Sequence, residues 1–211
     1  MPQAERILAT KLLAPRSGVT LVERPRLLDK LAQAQAQTKR LTLITAPAGY
    51  GKTVLLAQYA AQLQTPVVWY QLDNFDNDLA LFSQYLVAGI EQHYPDFGTE
   101  ITQVLEQSRD VDKDLRRLTA AFVNTLAVNV TDSLLLILDD YHLITANTVH
   151  GFMEQFLDYL PQNVHVMIAS RTTPPLQLER LKVAGLLETL NLEALCFRTE
   201  EIASFLTTEQ Q

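Results

Sequence analysis

Cys196 is the only cysteine in the chain, so no intrachain disulfide can form. That fits a reducing compartment. Cys196 sits in the apolar run LNLEALCF and reads as a small buried residue, not a nucleophile. The first residues, MPQAERILATKLLAPR, hold no continuous apolar stretch of signal-peptide length. No segment approaches the ~20 apolar residues of a membrane-spanning helix. These features predict a cytoplasmic protein without a membrane partner. Positive charge is also scarce: 17 Lys and Arg stand against 24 Asp and Glu, a net charge of −7. The basic residues are dispersed, which argues against a nucleic-acid-binding module. The four histidines (His93, His142, His150 and His165) have no metal-ligand spacing. No Gly-x-Ser-x-Gly elbow, internal repeat or low-complexity tract is present.

What remains is 211 residues, 47% of them hydrophobic, enough for the core of one α/β domain or of one domain plus part of a second. Residues 1–23 read as an N-terminal arm with turn signals at Pro15 and Gly18. Residues 24–195 form the main domain, and residues 196–211 read as the start of a truncated helical subdomain. A helix opens near Arg24 with Leu27, Leu28 and Leu31 on one face. Strands are expected at 41–45, from Val67 (VVWYQLD), at 134–138, at 164–170 and at 186–190. Helical patterns lie between them. Asn74 to Asp78 is a polar connector able to cap the next helix, which carries Leu79, Phe82, Leu86 and Ile90 at helical spacing. Leu115, Leu118, Phe122 and Leu126 form a second stripe. These aromatic and leucine stripes read as core. The run LLLIL at 134–138 is apolar at every position, as in a strand buried on both faces of a parallel sheet. The alternation predicts a doubly wound parallel sheet of five strands with helices on both faces.

The most informative segment is LTLITAPAGYGKT, residues 41–53. A strand runs into a glycine-bearing loop, then Gly-Lys-Thr, then a helical run. That order is the context the Walker A phosphate-binding motif requires, with Ala46 in place of the usual opening glycine. A sharply turning loop aims backbone N–H groups inward, and the new helix adds its free N–H groups and the positive end of its dipole. The expected cradle is Ala46, Pro47, Ala48, Gly49, Tyr50, Gly51, Lys52 and Thr53, with Val54 one residue into the helix. Gly49 and Gly51 permit backbone angles that a side chain disfavours. Lys52 supplies a charge to the β- and γ-phosphates, and Thr53 a hydroxyl to Mg2+.

Ligands of open α/β sheets sit at the carboxyl ends of the strands. There the third strand ends in Asp139 and Asp140, and the fourth in Ser170 and Arg171. Asp139 is placed to hold Mg2+ with Thr53, and Asp140 to orient or deprotonate a water. Arg171 is placed to offset γ-phosphate charge. His142 reads as a supporting residue, since the acids already serve. The extra strand VVWYQLD, between the two motifs in sequence, matches P-loop NTPases of the additional-strand ATPase class more than small-molecule kinases.

The segments KLLAPRSGVTLVERPRLLDKL, TLITAPAGYGKTVLLAQYA, VVWYQLDNFDND, LLLILDDYHLI, VMIASRTTPPL and LEALCFRTEEIASFL, in this order, resemble the N-terminal nucleotide-binding domain of MalT-like transcriptional activators. These are LuxR-type bacterial regulators of the STAND class of signal-transduction ATPases. The resemblance implies an ATP/ADP switch with slow hydrolysis of ATP to ADP and phosphate. It also implies self-association and DNA binding through a distant domain, not through this segment. By the family pattern Arg24 lies near the nucleotide, and Lys52, Thr53, Asp139, Asp140 and Arg171 match its Walker and sensor positions. The chain then corresponds to an excised domain or a truncated product of a longer regulator. Two other readings stay open: a nucleotide-gated interaction module with negligible turnover, and an AAA-like work-producing ATPase.

Overall fold

Five parallel strands in the order β2-β3-β4-β1-β5 form the centre of the computed structural model, which describes residues 7–15, 23–108, 114–199 and 201. They are β1 (Leu41–Thr45), β2 (Val67–Gln71), β3 (Leu134–Asp139), β4 (Val164–Ser170) and β5 (Leu187–Leu190). The helices are α1 (Pro25–Ala36), α2 (Lys52–Gln62), α3 (Leu79–Glu91), α4 (Thr99–Gln107), α5 (Leu115–Asn129), α6 (Asn147–Tyr159), α7 (Glu179–Val183) and α8 (Leu192–Leu195). Every residue of β3 and β4 is buried, as expected of strands covered on both faces.

Alternate side chains along the strands divide the core in two. On one face Ile44, Trp69, Leu135, Ile137, Met167 and Leu190 pack with Leu27, Leu28 and Leu31 of α1 and Leu55, Leu56 and Tyr59 of α2. On the other, Leu43, Val68, Tyr70, Leu136, Leu138 and Ile168 pack with α3, α5 and α6. The aromatic stripes are core there: Phe82, Phe122, Phe152 and Phe156 meet at centroid distances of 5.3 to 6.3 Å.

The strand between β1 and β3 in space is β4; β2 follows β1 in sequence but lies at the sheet edge. Sequence order alone gave the right class of sheet but not the strand that fills the gap. Strand three also runs one residue further than its apolar run, so that Asp139 is its last residue.

The connector at 74–78 is a 3-10 turn, Asn74–Asn77, and the Asp78 side chain caps α3 by accepting from Leu81 N at 2.9 Å. A second 3-10 turn, Ala9–Leu12, docks against the sheet-edge side of the molecule. Leu12 joins the core, and Lys11 Nζ donates to both Asp76 carboxylate oxygens at 2.7 and 2.6 Å. Cys196 is exposed, contrary to the expectation that it is a small buried residue. The chain leaves α8 in extended conformation after Leu195, which takes the last buried position. Gly18 and most of residues 196–211 lie outside the described residues.

Candidate nucleotide site

The loop after β1 is shaped by two left-handed glycines, Gly49 at φ 88° and Gly51 at φ 73°. A Cβ at either would meet no atom within 4 Å, so glycine is favoured there by backbone angle and not by crowding. Gly51 is the N-cap of α2, and no side chain caps that helix. Its first-turn N–H groups are thus left for a ligand or water, at the positive end of the dipole. Ala46 is buried and its N–H donates to the Ser170 carbonyl at 3.3 Å, which ties the loop to the end of β4. Pro47, Ala48, Gly49 and Tyr50 are exposed at the rim; Val54 is half-buried on α2.

Lys52 is 8% exposed and donates to the Ala46 and Pro47 carbonyls at 2.7 and 3.0 Å, bracing the loop from inside. Burial holds its ammonium below the ordinary lysine range, with Asp139 and Asp140 opposing the shift and Arg171 adding to it. Thr53 donates its hydroxyl to Asp139 Oδ2 at 2.7 Å. This bond crosses the end of β4 and joins the phosphate loop to the acidic strand. Asp139 is 1% exposed, and its other oxygen accepts from Asp140 N at 2.9 Å. Burial pushes its carboxyl above the usual aspartate range, with the Thr53 bond pulling back.

Asp140 is left-handed, at φ 57°, and begins a 3-10 turn, Tyr141–Leu143. The turn is held from two sides. Tyr141 is buried with its hydroxyl 3.1 Å from His150 Nδ1. Asn77 donates to the Leu143 carbonyl at 2.9 Å and accepts from Thr145 N and Ala146 N at 2.6 and 2.8 Å. Arg171 is exposed, yet its charge reaches both Lys52 and His142.

Lys52, Thr53, Asp139, Asp140 and Arg171 are therefore gathered at one end of three adjacent strands. Arg24, 4% exposed, donates to the Leu195 carbonyl at 2.6 Å, lies 3.7 Å from Glu201 and covers the Phe197 ring at 4.4 Å. Sequence reasoning missed Asn77, whose partners are 66 to 69 residues away and leave no local signal.

Residues 20–169 match the AAA ATPase domain family. The chain belongs to that family. Within it, the chain is similar to the HTH-type transcriptional regulator MalT of Yersinia pestis (strain Pestoides F), 37% identical over 199 residues, 94% of this chain and 21% of that protein. It is also similar to the MalT of Vibrio parahaemolyticus serotype O3:K6, 36% identical over 196 residues, again 21% of that protein. The resemblance read from the sequence is thereby borne out, and the chain spans about one fifth of the length of these relatives. Among solved structures, Drosophila ORC bound to AT-rich DNA and Cdc6 aligns at TM-score 0.54 and 12% identity, covering 85% of this chain and 57% of that one. A second structure, Drosophila ORC bound to DNA, aligns at 0.51 and 12% identity, covering 85% and 94%. These likenesses establish an ATPase fold of the P-loop kind with this sheet. No helix among the described residues is long and apolar enough to cross a membrane.

Proposed function

We propose that this AAA ATPase domain binds ATP and ADP with Mg2+ as the regulatory switch of a MalT-like transcriptional regulator, and that it hydrolyses ATP slowly. The observation that carries this reading is the 2.7 Å bond between Thr53 and Asp139, set beside Lys52 and a helix start that no side chain caps. An anion-binding cradle and a buried carboxylate–hydroxyl pair for a hard cation are what a nucleotide with its metal needs. A bound Mg2+ supplies positive charge against the phosphate oxygens.

The chain's own residues divide the remaining work. Lys52 and the α2 N–H groups bind phosphate, Thr53 and Asp139 hold the metal, and Asp140 orients water. Arg171 offsets charge on the terminal phosphate. Arg24, which grips the end of α8, is proposed to lie near the nucleotide. The partners proposed are nucleotide, the other regulator domains and a further copy of the chain. DNA contact belongs outside this acidic segment.

Calorimetry with ADP and Mg2+ on the wild type and Lys52→Ala tests the cradle. A loss of at least tenfold in affinity with an unchanged circular dichroism spectrum is expected. Equal affinities would dismiss the assignment. Asp140→Asn, by contrast, is expected to keep its affinity and lose turnover, the signature of a group used in the transition state.

A further inference from the structure

We propose that His142 is a positioning residue for Asp140, its Nδ1–H holding the carboxylate in the orientation that addresses water. This rests on the nucleotide-site reading of Asp140 given above.

Asp140 needs such a partner. Its left-handed backbone projects it off the end of β3, and its only bond to Asp139 is made by its backbone N–H. The carboxylate itself is 30% exposed, and His142 Nδ1 lies 3.7 Å from its Oδ1. That is beyond hydrogen-bond range by about half an ångström, within reach of a small side-chain rotation. The imidazole needs a partner equally. Among the described residues Nδ1 is buried without a hydrogen-bond partner, and the side chain is only 13% exposed. A buried polar group left without a partner is costly, so the pair is favoured to close.

The backbone that carries the ring is fixed. Its turn is anchored by the buried Tyr141 and by the Asn77 bonds to Leu143, Thr145 and Ala146. The charges that act on the ring are those of Asp140, Arg171 and Lys52. Burial and the two cations favour a neutral imidazole, against the pull of Asp140. A neutral ring has one N–H, and the nearby carboxylate selects Nδ1 as its place. A neutral donor orients Asp140 without neutralising it, so the carboxylate stays available to water.

The test uses substitutions that separate the two ring nitrogens. Asparagine places an N–H near the Nδ1 position, glutamine near Nε2. His142→Asn is expected to keep ATP turnover within about threefold of wild type. His142→Ala and His142→Gln are expected to lose at least tenfold in kcat, while calorimetric affinities for ADP and a non-hydrolysable ATP analogue stay within twofold. A second readout needs no nucleotide. Ring 15N shifts in the labelled wild-type chain are expected to show the proton on Nδ1, and Asp140→Ala is expected to shift the population toward Nε2–H.

Equal turnover in all three His142 variants, or a loss in His142→Asn as deep as in His142→Ala, would overturn the positioning role. So would a ring found as Nε2–H in the wild type, or one unchanged by Asp140→Ala. Should the wild type bind no nucleotide, the site reading fails, while the ring tautomer still decides whether the pair exists.

Discussion

Replacing Lys11 by methionine keeps most of an aliphatic stem and removes one charge. The ammonium lies 2.6 Å from Asp76 and 3.1 Å from Asp73. It also sits 4.4 Å over the Tyr85 ring. Asp76 has no solvent exposure, and its Oδ2 also accepts from Asp73 N at 2.7 Å. Removing the cation strands a carboxylate where water cannot reach it. Breaking a buried pair in this way costs about 3–5 kcal/mol, and loss of the cation–π contact adds about 0.5–2. Against a domain stability of about 5–15 kcal/mol, that is a large share. With a urea slope near 2 kcal/mol/M, the unfolding midpoint should fall by about 2 M.

The double variant Lys11→Met/Asp76→Asn keeps an acceptor for Asp73 N while removing both charges. It should recover more than half of the loss. Equilibrium unfolding in urea, followed by circular dichroism, measures both. A single-variant cost below about 1 kcal/mol would place the pair with solvated surface bridges and refute the view that residues 7–15 fold as part of the domain.

Asp139→Asn should stabilise the nucleotide-free chain at neutral pH and raise its Tm, while weakening Mg2+-dependent binding. Because folding raises this carboxyl's pKa, its contribution favours the fold at low pH and is lost as pH rises through the folded value. The advantage of the variant should therefore vanish on acidification, as thermal melts across pH will show. Arg171→Ala should reduce affinity for a non-hydrolysable ATP analogue by at least fivefold and spare ADP; titrations with both ligands decide it, and equal losses dismiss the sensor role. The chain should give no sequence-selective shift of a promoter fragment in a gel at about 0.15 M salt, given its net charge of −7.

The parts of this molecule that were legible in sequence are those whose signals are local. An all-apolar run marks β3, an ordered Gly-Lys-Thr marks the start of α2, and the residues that end β3 and β4 inherit their place from the strands themselves. The bonds that bring these ends to working geometry are long-range. Lys11 meets Asp76 across 65 positions, and Asn77 meets Ala146 across 69. Periodicity carries no trace of either. Cys196 misled for a related reason: burial there is decided by where α8 stops, and the apolar composition around it continues past that point. Arg24 was expected near nucleotide through resemblance alone, and its hydrogen bonds go to the Leu195 and Cys196 carbonyls.

The bond from Thr53 to Asp139 spans the end of β4, whose last two residues are Ala169 and Ser170, both without solvent exposure. Since β4 separates β1 from β3, the two motif strands stand about 9–10 Å apart, twice the normal strand spacing. The phosphate loop and the first turn of α2 carry Thr53 across that distance, over small residues at the end of β4. Ser170 even folds its hydroxyl back onto the Thr172 carbonyl, at 2.6 Å. A homologous chain carrying leucine or phenylalanine at this place would retain every charged group of the site and still prise the two halves apart. Such a chain would pass any inspection based on its lysine, threonine and aspartates, and be silent. The capacity to close this site is thus vested in a side chain that performs no chemistry, and loss of activity among relatives should be sought there as readily as in the motifs.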